Sequence, residues 1–496
     1  MSTTFPGFGE TAPLDLPDLT PQAAAGVVAR IADGSMDSFA AAAASVRHCV
    51  RPVRLVGSSV TIAAATGEVL SQINSADQPL GVLWRPCGNR RADVCPACSR
   101  LYARDTFEVV RTGVQGGKSV PESVASSPLV FATLTAPSFG RVHGARNGAR
   151  CRPAGRGLCP HGRPQWCNTQ HTDTDPTGGA PFCEDCYDWT SAVVWQWWAP
   201  ELWRRFTIAL RRSLAARLSV PQSQLRQVAS VQFAKVAEFQ ARGLVHFHAL
   251  IRADGPDGPG SPSPVDGITL ADLVRTAAAQ VSYDAPPVDD ADTGRTLRFG
   301  RQIDVRTVRA GIGPADLTGE AVAAYLAKYA TKSATTDTGT RAHLTRLRFW
   351  CYLLAERATT ACRTTGPDPD DDEGCVCGQC VDSPYRLLRR WAHMLGFRGH
   401  FATKSRRYSV TLTALRRARA RFQRFRAAGV RIDTADLEAR LMADDETTLV
   451  IGTWAYVGTG WTNPGDTALA LAAAARAREY AQWRAQQQQE TTRTER

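Results

Sequence analysis

The sequence predicts an α+β fold, an antiparallel sheet covered by helices, with zinc-binding cysteine insertions and a mainly helical C-terminal region. Three observations predict it. The run PLVFATLTAPS (Pro128–Ser138) is apolar and β-branched and reads as a buried strand over Val130–Thr135. From Ser191 to Leu218, Trp195, Trp198, Leu202, Phe206 and Leu210 fall near helical spacing with arginines opposite, and Pro221 stops the helix. Two extended stretches, Val228–Phe239 and Leu244–Arg252, flank a short turn at Gln240–Gly243 and read as a hairpin.

The elements follow in order. Residues 1–45 read as a flexible, Ala-rich leader with one helix at Pro21–Ala32, and 46–126 as a cysteine-containing N-terminal module with β-like runs such as VRLVGSSVTIAAA. The main domain spans 127–340 and contains an insertion rich in Cys, His, Gly and Pro at 150–188. After the hairpin, a Pro/Gly/Ser loop (Ala253–Gly267) leads to a helix at Leu270–Ser282, a strand at Arg301–Val305 and a helix at Gly319–Ser333. Residues 341–475 form a helical, Arg-rich region, and 476–496 a polar tail expected to be disordered beyond the last helix.

Composition narrows the class. At 496 residues the chain exceeds one hydrophobic core. No apolar run is long enough to span a bilayer and the start lacks a secretory signal, so the expected location is cytoplasmic, with no membrane partner. Fourteen cysteines in a reducing compartment favour metal thiolates over disulfides. The net charge of +12 points to an anionic partner. Almost all the cations are arginine: the only lysines are Lys118, Lys235, Lys328, Lys332 and Lys404.

The segment VAEFQARGLVHFHAL carries the most chemistry. Alternation along a strand turns His246 and His248 to one face and Val245 and Phe247 to the other, so two imidazole nitrogens can meet one metal ion. Glu238, on the paired strand, is the expected third ligand, with Gln240 an alternate; a carboxylate beside two imidazoles suits Mg²⁺ or Mn²⁺. In AVAAYLAKYATKS, Tyr325 and Tyr329 lie four apart on a helix, and Lys328 and Lys332 each follow a tyrosine by three residues. A phenol with a pKa of about 10 needs help as a nucleophile. A divalent ion that positions a phosphate and a lysine one helical turn away would supply it, which points to DNA strand transfer through a phosphotyrosine.

FATLTAPS, EFQARGLVHFHALI and YLAKYATKS resemble the three motifs of the HUH endonuclease superfamily, in its two-tyrosine rolling-circle form. CPHGRPQWC, CEDCYDW and GFRGHFATKSRRYS resemble the replication initiators of actinobacterial plasmids and integrative conjugative elements, a likeness running from about His48 to Phe425. The resemblance implies an HUH-type sheet and a nickase and ligase acting on single-stranded origin DNA. One tyrosine would become linked to a 5′ phosphate, leaving a 3′ hydroxyl for polymerase, and the second would cut the regenerated origin. No Gly-x-x-x-x-Gly-Lys-Ser/Thr loop occurs, so a host helicase would unwind the duplex. A zinc-containing DNA-binding regulator without catalysis and a rolling-circle transposase are the alternatives.

Three C-x-x-C pairs, Cys95/Cys98, Cys183/Cys186 and Cys377/Cys380, favour structural zinc. Cys159 and Cys167 complete the middle group with Cys183 and Cys186, with Cys151, His161 and His171 as alternates. Cys87 joins the first pair, with Cys49 a candidate fourth ligand, and Cys375 joins the last, with Cys362 as candidate. The stretch Arg398–Ser409 offers Arg398, Lys404, Arg406 and Arg407 for phosphate contact and a tyrosine for base stacking.

Overall fold

A computed structural model describes residues 16, 19–144, 149–172, 175–308, 321–326, 341–359, 383–427, 434–443 and 448–494. The chain packs as two compact units: Met1–Asp105 together with Phe425–Arg496, and Thr106–Arg424.

In the first unit, Thr20 caps helix α1 (Pro21–Ala32) through its side chain and Pro21 sits at the first helical position, where its missing N–H costs nothing. Helix α2 (Met36–Ser45) buries Phe39, Ala42 and Ala43. Strand β1 (Val53–Ala63) pairs with β2 (Val69–Asn74), with β3 (Leu83–Arg85) and, from Val53↔Thr459 to Ala63↔Thr448, with the strand Thr448–Thr459. Phe39 and Trp84 close on Trp461, with ring centroids 5.0 and 4.5 Å away. The Arg30–Asp466 ion pair, at 2.9 Å, ties α1 to the helix Pro464–Thr494.

The expected boundaries divide the chain differently. The leader is folded from α1 onward, with Ala23, Phe39, Ala42 and Ala43 buried while Val28 and Ile31 face solvent. The stretch expected to be helical contains the strand that completes the β1 sheet, and the polar tail continues as helix to Thr494. Pairing across some 400 residues of sequence leaves no local periodicity to read. Helix α3 (Pro96–Gln115) and the helix Leu412–Ala427 run through the two division points.

The second unit is built on a five-stranded antiparallel sheet. Its order is β10 (Ala402–Lys404), β5 (Ser230–Phe239), β6 (Val245–Asp254), β4 (Leu129–Leu134), β9 (Ile303–Thr307). The hairpin expectation matches β5 and β6, and the β4 and β9 expectations match within two residues. Helix α4 (Trp189–Arg217), capped by the Asp188 side chain, covers one face. Its Trp203 and Phe206 join Phe247 of β6, Phe299 and Phe397 in a continuous apolar core. Helix α5 (Gly267–Gln280) and the short hairpin of β7 (Ser282–Ala285) and β8 (Arg295–Arg298) pack into the same core. Period-two alternation then leaves the opposite face of β4, β5 and β6 for polar chemistry.

Candidate metal centre and nucleophile

Register sets this centre. Glu238 lies directly opposite His246, and Val236 opposite His248, so the carboxylate and both imidazoles rise from one face. Glu238 Oε2 is 3.0 Å from His246 Nε2 and 3.1 Å from His248 Nε2, and the two ring nitrogens are 3.1 Å apart. Two ligands in adjacent octahedral positions with bonds of ~2.1 Å lie about 3.0 Å apart. In a tetrahedron with bonds of ~2.0–2.1 Å they lie about 3.4 Å apart. The three ligand atoms are close enough together to meet one divalent ion.

Burial alone would push the Glu238 carboxyl up, but the two imidazoles overcome it and hold it down at about 2. Burial keeps His248 below the ordinary histidine value, hence neutral. Its Nδ1 is 3.0 Å from Thr133 Oγ1 on β4, which stands opposite it in register. If a divalent ion met both Nε2 atoms and the carboxylate, the His248 proton would sit on Nδ1 and be donated to the Thr133 hydroxyl. Thr133 was missed by sequence reading; its signal is a hydroxyl at an alternate position of an otherwise apolar strand.

Residues 321–326 are helical, and their Val322, Ala323 and Leu326 are buried while Tyr325 keeps 37 % of its surface exposed. The Tyr325 hydroxyl is 3.3 Å from His248 Nε2, and its ring stands edge-on to His248 and Phe131 at 5.2 and 6.0 Å. Tyr329, Lys328 and Lys332 lie outside the described residues, as do Cys375, Cys377, Cys380 and Cys362. Gln240 is not part of the centre: it accepts a hydrogen bond from Arg242 Nε in the turn.

The cysteines group in three places among the described residues. Cys49, Cys87, Cys95 and Cys98 converge in the first unit, which supplies the missing fourth ligand. The insertion holds two clusters, not one. Cys159, Cys183 and Cys186 are joined by His161, whereas Cys167 sits with His143, Cys151 and His171. Cys167 therefore leaves the expected four-thiolate group, because backbone hydrogen bonds exchanged between Arg152 and Cys167 draw it toward Cys151.

The four candidate DNA contacts divide evenly. The Arg398 guanidinium lies over the rings of Trp197 and Trp198, 4.6 and 4.7 Å from their centroids, and Nε donates to the Trp197 carbonyl. Lys404 Nζ donates to the carbonyls of Ser409 (2.7 Å), Ser405 and Arg406 (both 3.3 Å), and burial takes it down to about 8. Both cations are engaged by partners within the chain, and Tyr408 is wholly buried. Arg406 and Arg407 are exposed. Sequence shows that a cation is present but not which way its stem turns.

The family model described as "Replication initiator protein, pSAM2" matches residues 35–475. The chain belongs to that replication initiator family. A replication initiator protein from Streptomyces ambofaciens is 41 % identical over 432 residues, covering 84 % of this chain and 85 % of the relative. No solved structure matches. Glu238, His246, His248 and Tyr325 all fall within the matched stretch. No described helix is long and apolar enough to cross a membrane.

Proposed function

We propose that the chain initiates rolling-circle replication by nicking one strand of plasmid or integrative-element origin DNA, with Tyr325 as a nucleophile and Tyr329 as its partner. The observation that carries this is the approach of the Tyr325 hydroxyl to within 3.3 Å of His248 Nε2, at the edge of the carboxylate–imidazole cluster. Glu238, His246 and His248 would hold Mg²⁺ or Mn²⁺, which supplies charge stabilisation for the phosphoryl oxygens. The chain's own residues do the rest. Thr133 fixes the His248 ring, Phe131 steadies the Tyr325 ring edge-on, and the exposed face of Tyr325 meets the strand. The phenol gives its proton to solvent water, its oxygen bonds to phosphorus, and the P–O3′ bond breaks, the leaving oxygen taking a proton from water to become the 3′ hydroxyl. Attack by that hydroxyl on the phosphotyrosine reverses the step and rejoins the strand.

Lys328 and Lys332 would stabilise the phenolate or the phosphate, and a host helicase and polymerase would extend the 3′ end. Structural zinc at Cys49/Cys87/Cys95/Cys98 and at Cys159/His161/Cys183/Cys186 would hold the surrounding modules. Arg406 and Arg407 would meet phosphates. The double substitution Tyr325→Phe/Tyr329→Phe should reduce nicking of supercoiled origin DNA to background and abolish the covalent DNA adduct. A variant that still nicks and still becomes attached overturns the reading.

A further inference from the structure

Eight cysteines and histidines from His143 to Cys186 occur in the chain as four successive pairs: His143/Cys151, Cys159/His161, Cys167/His171 and Cys183/Cys186. In space the first pair joins the third, and the second joins the fourth. We infer that this insertion is a crossed two-zinc module, in which the Cys₂His₂ cluster of His143, Cys151, Cys167 and His171 binds a zinc ion of its own beside the Cys₃His one. The inference is independent of the nicking chemistry and shares with the reading above only the assignment of zinc to the Cys159 cluster.

Geometry supports a tetrahedral ion at each place. Bonds of ~2.0–2.1 Å to nitrogen and ~2.3 Å to sulfur put tetrahedral ligand atoms about 3.3–3.8 Å apart. In the Cys₂His₂ cluster, His171 Nε2 is 3.2 Å from His143 Nδ1 and 3.3 Å from Cys167 Sγ. In the other cluster, His161 Nδ1 is 3.2 Å from Cys186 Sγ and 3.7 Å from Cys183 Sγ. The shorter of these spacings fall just under that range, and the four ligand atoms of each cluster all lie within 4.8 Å of one another, close enough to meet one ion.

The supporting groups are those of a metal site. Asp175 Oδ2 lies 2.6 Å from His171 Nδ1, which leaves Nε2 as the ligand nitrogen. The Gly144 N–H donates to Cys151 Sγ and the Arg163 N–H to Cys159 Sγ, each at 3.3 Å, as suits thiolates. The module also reaches the hairpin. Gly179 donates to the His143 carbonyl, and at its φ of +90° a Cβ would lie 2.2 Å from the Ala241 carbonyl oxygen, in the turn between Glu238 and His246. A filled Cys₂His₂ site would therefore brace that turn through its own ligand backbone.

Zinc per full-length chain, measured by elemental mass spectrometry after dialysis against metal-free buffer, tests this. Cys151→Ser/Cys167→Ser and Cys159→Ser/Cys183→Ser should each lose at least one equivalent relative to wild type, and the quadruple variant two. A Cys151→Ser/Cys167→Ser chain with wild-type zinc overturns the second ion alone. If neither double variant loses zinc, the zinc reading of the whole insertion falls while the nicking proposal stands. Where a variant fails to fold, cadmium NMR of the cadmium-loaded wild-type chain decides: a resonance from a two-sulfur, two-nitrogen site is expected, and its absence overturns the inference.

Discussion

Glu238, His246 and His248 stand on two strands held in register over ten residue pairs, while the eight ligands between His143 and Cys186 lie on a loop tied by three isolated bridges. The first site has an apolar core behind it: Phe247, between the two histidines, is fully buried. Most of the second is Gly, Pro and polar residues with half-exposed side chains. A sheet can hold such side chains in place before any ion arrives, whereas a loop without strand pairing would, with zinc bound as proposed, draw much of its order from the ion.

The largest expected effect separates the two directly. Stripping zinc with a strong chelator should remove on the order of 10 kcal/mol per structural site and expose the insertion to protease. Amides of β5 and β6 should keep their hydrogen-exchange protection. Equal loss in both regions would show that the sheet depends on the ion as much as the loop does. Conversely, Glu238→Gln should weaken Mn²⁺ binding, followed by calorimetry, by at least ~100-fold, since it removes the one anionic ligand. Its melting temperature should change by only a few degrees.

The sheet's reserve can also be tested from its other face. Lys235 on β5 is buried over the rings of Phe247 and Trp203, and desolvation takes its ammonium down to about 7. The folded chain releases this proton between pH 7 and the ordinary lysine value of 10.5, where the unfolded chain still holds it. Stability should accordingly rise with pH across that window, with the full burial cost present below pH 7. Lys235→Met should flatten that slope and gain about 1–3 kcal/mol at pH 6 in denaturant titrations, after allowing for the lost bond to the His400 carbonyl. The smallest effect belongs to Thr133→Val, which should weaken Mn²⁺ binding by about 10–100-fold with no change in the zinc content. Unchanged affinity would show that the sheet alone orients His248.

Local rules made part of this legible. Glu238 was readable as a partner of His246 because strand periodicity and a four-residue turn fix which residues share a face. The α4 stripe was readable because one helix buries it. His143 was not, since nothing in RVHGARNG distinguishes a ligand from a loop histidine; its only signal is a place eight residues before Cys151. Lys404 looked like a phosphate contact because charge is visible in sequence and the direction of a side chain is not.

The sequence by itself determined the donor types, the shared face of His246 and His248, and the replication initiator motifs, all consequences of spacing along a single segment. Only the tertiary structure decided that Cys167 serves with His143 rather than with Cys159, that Tyr325 reaches His248, and that Thr448–Thr459 completes the β1 sheet. Those choices rest on contacts between distant segments. Each has several competitors of equal local merit, and packing the whole chain selects among them.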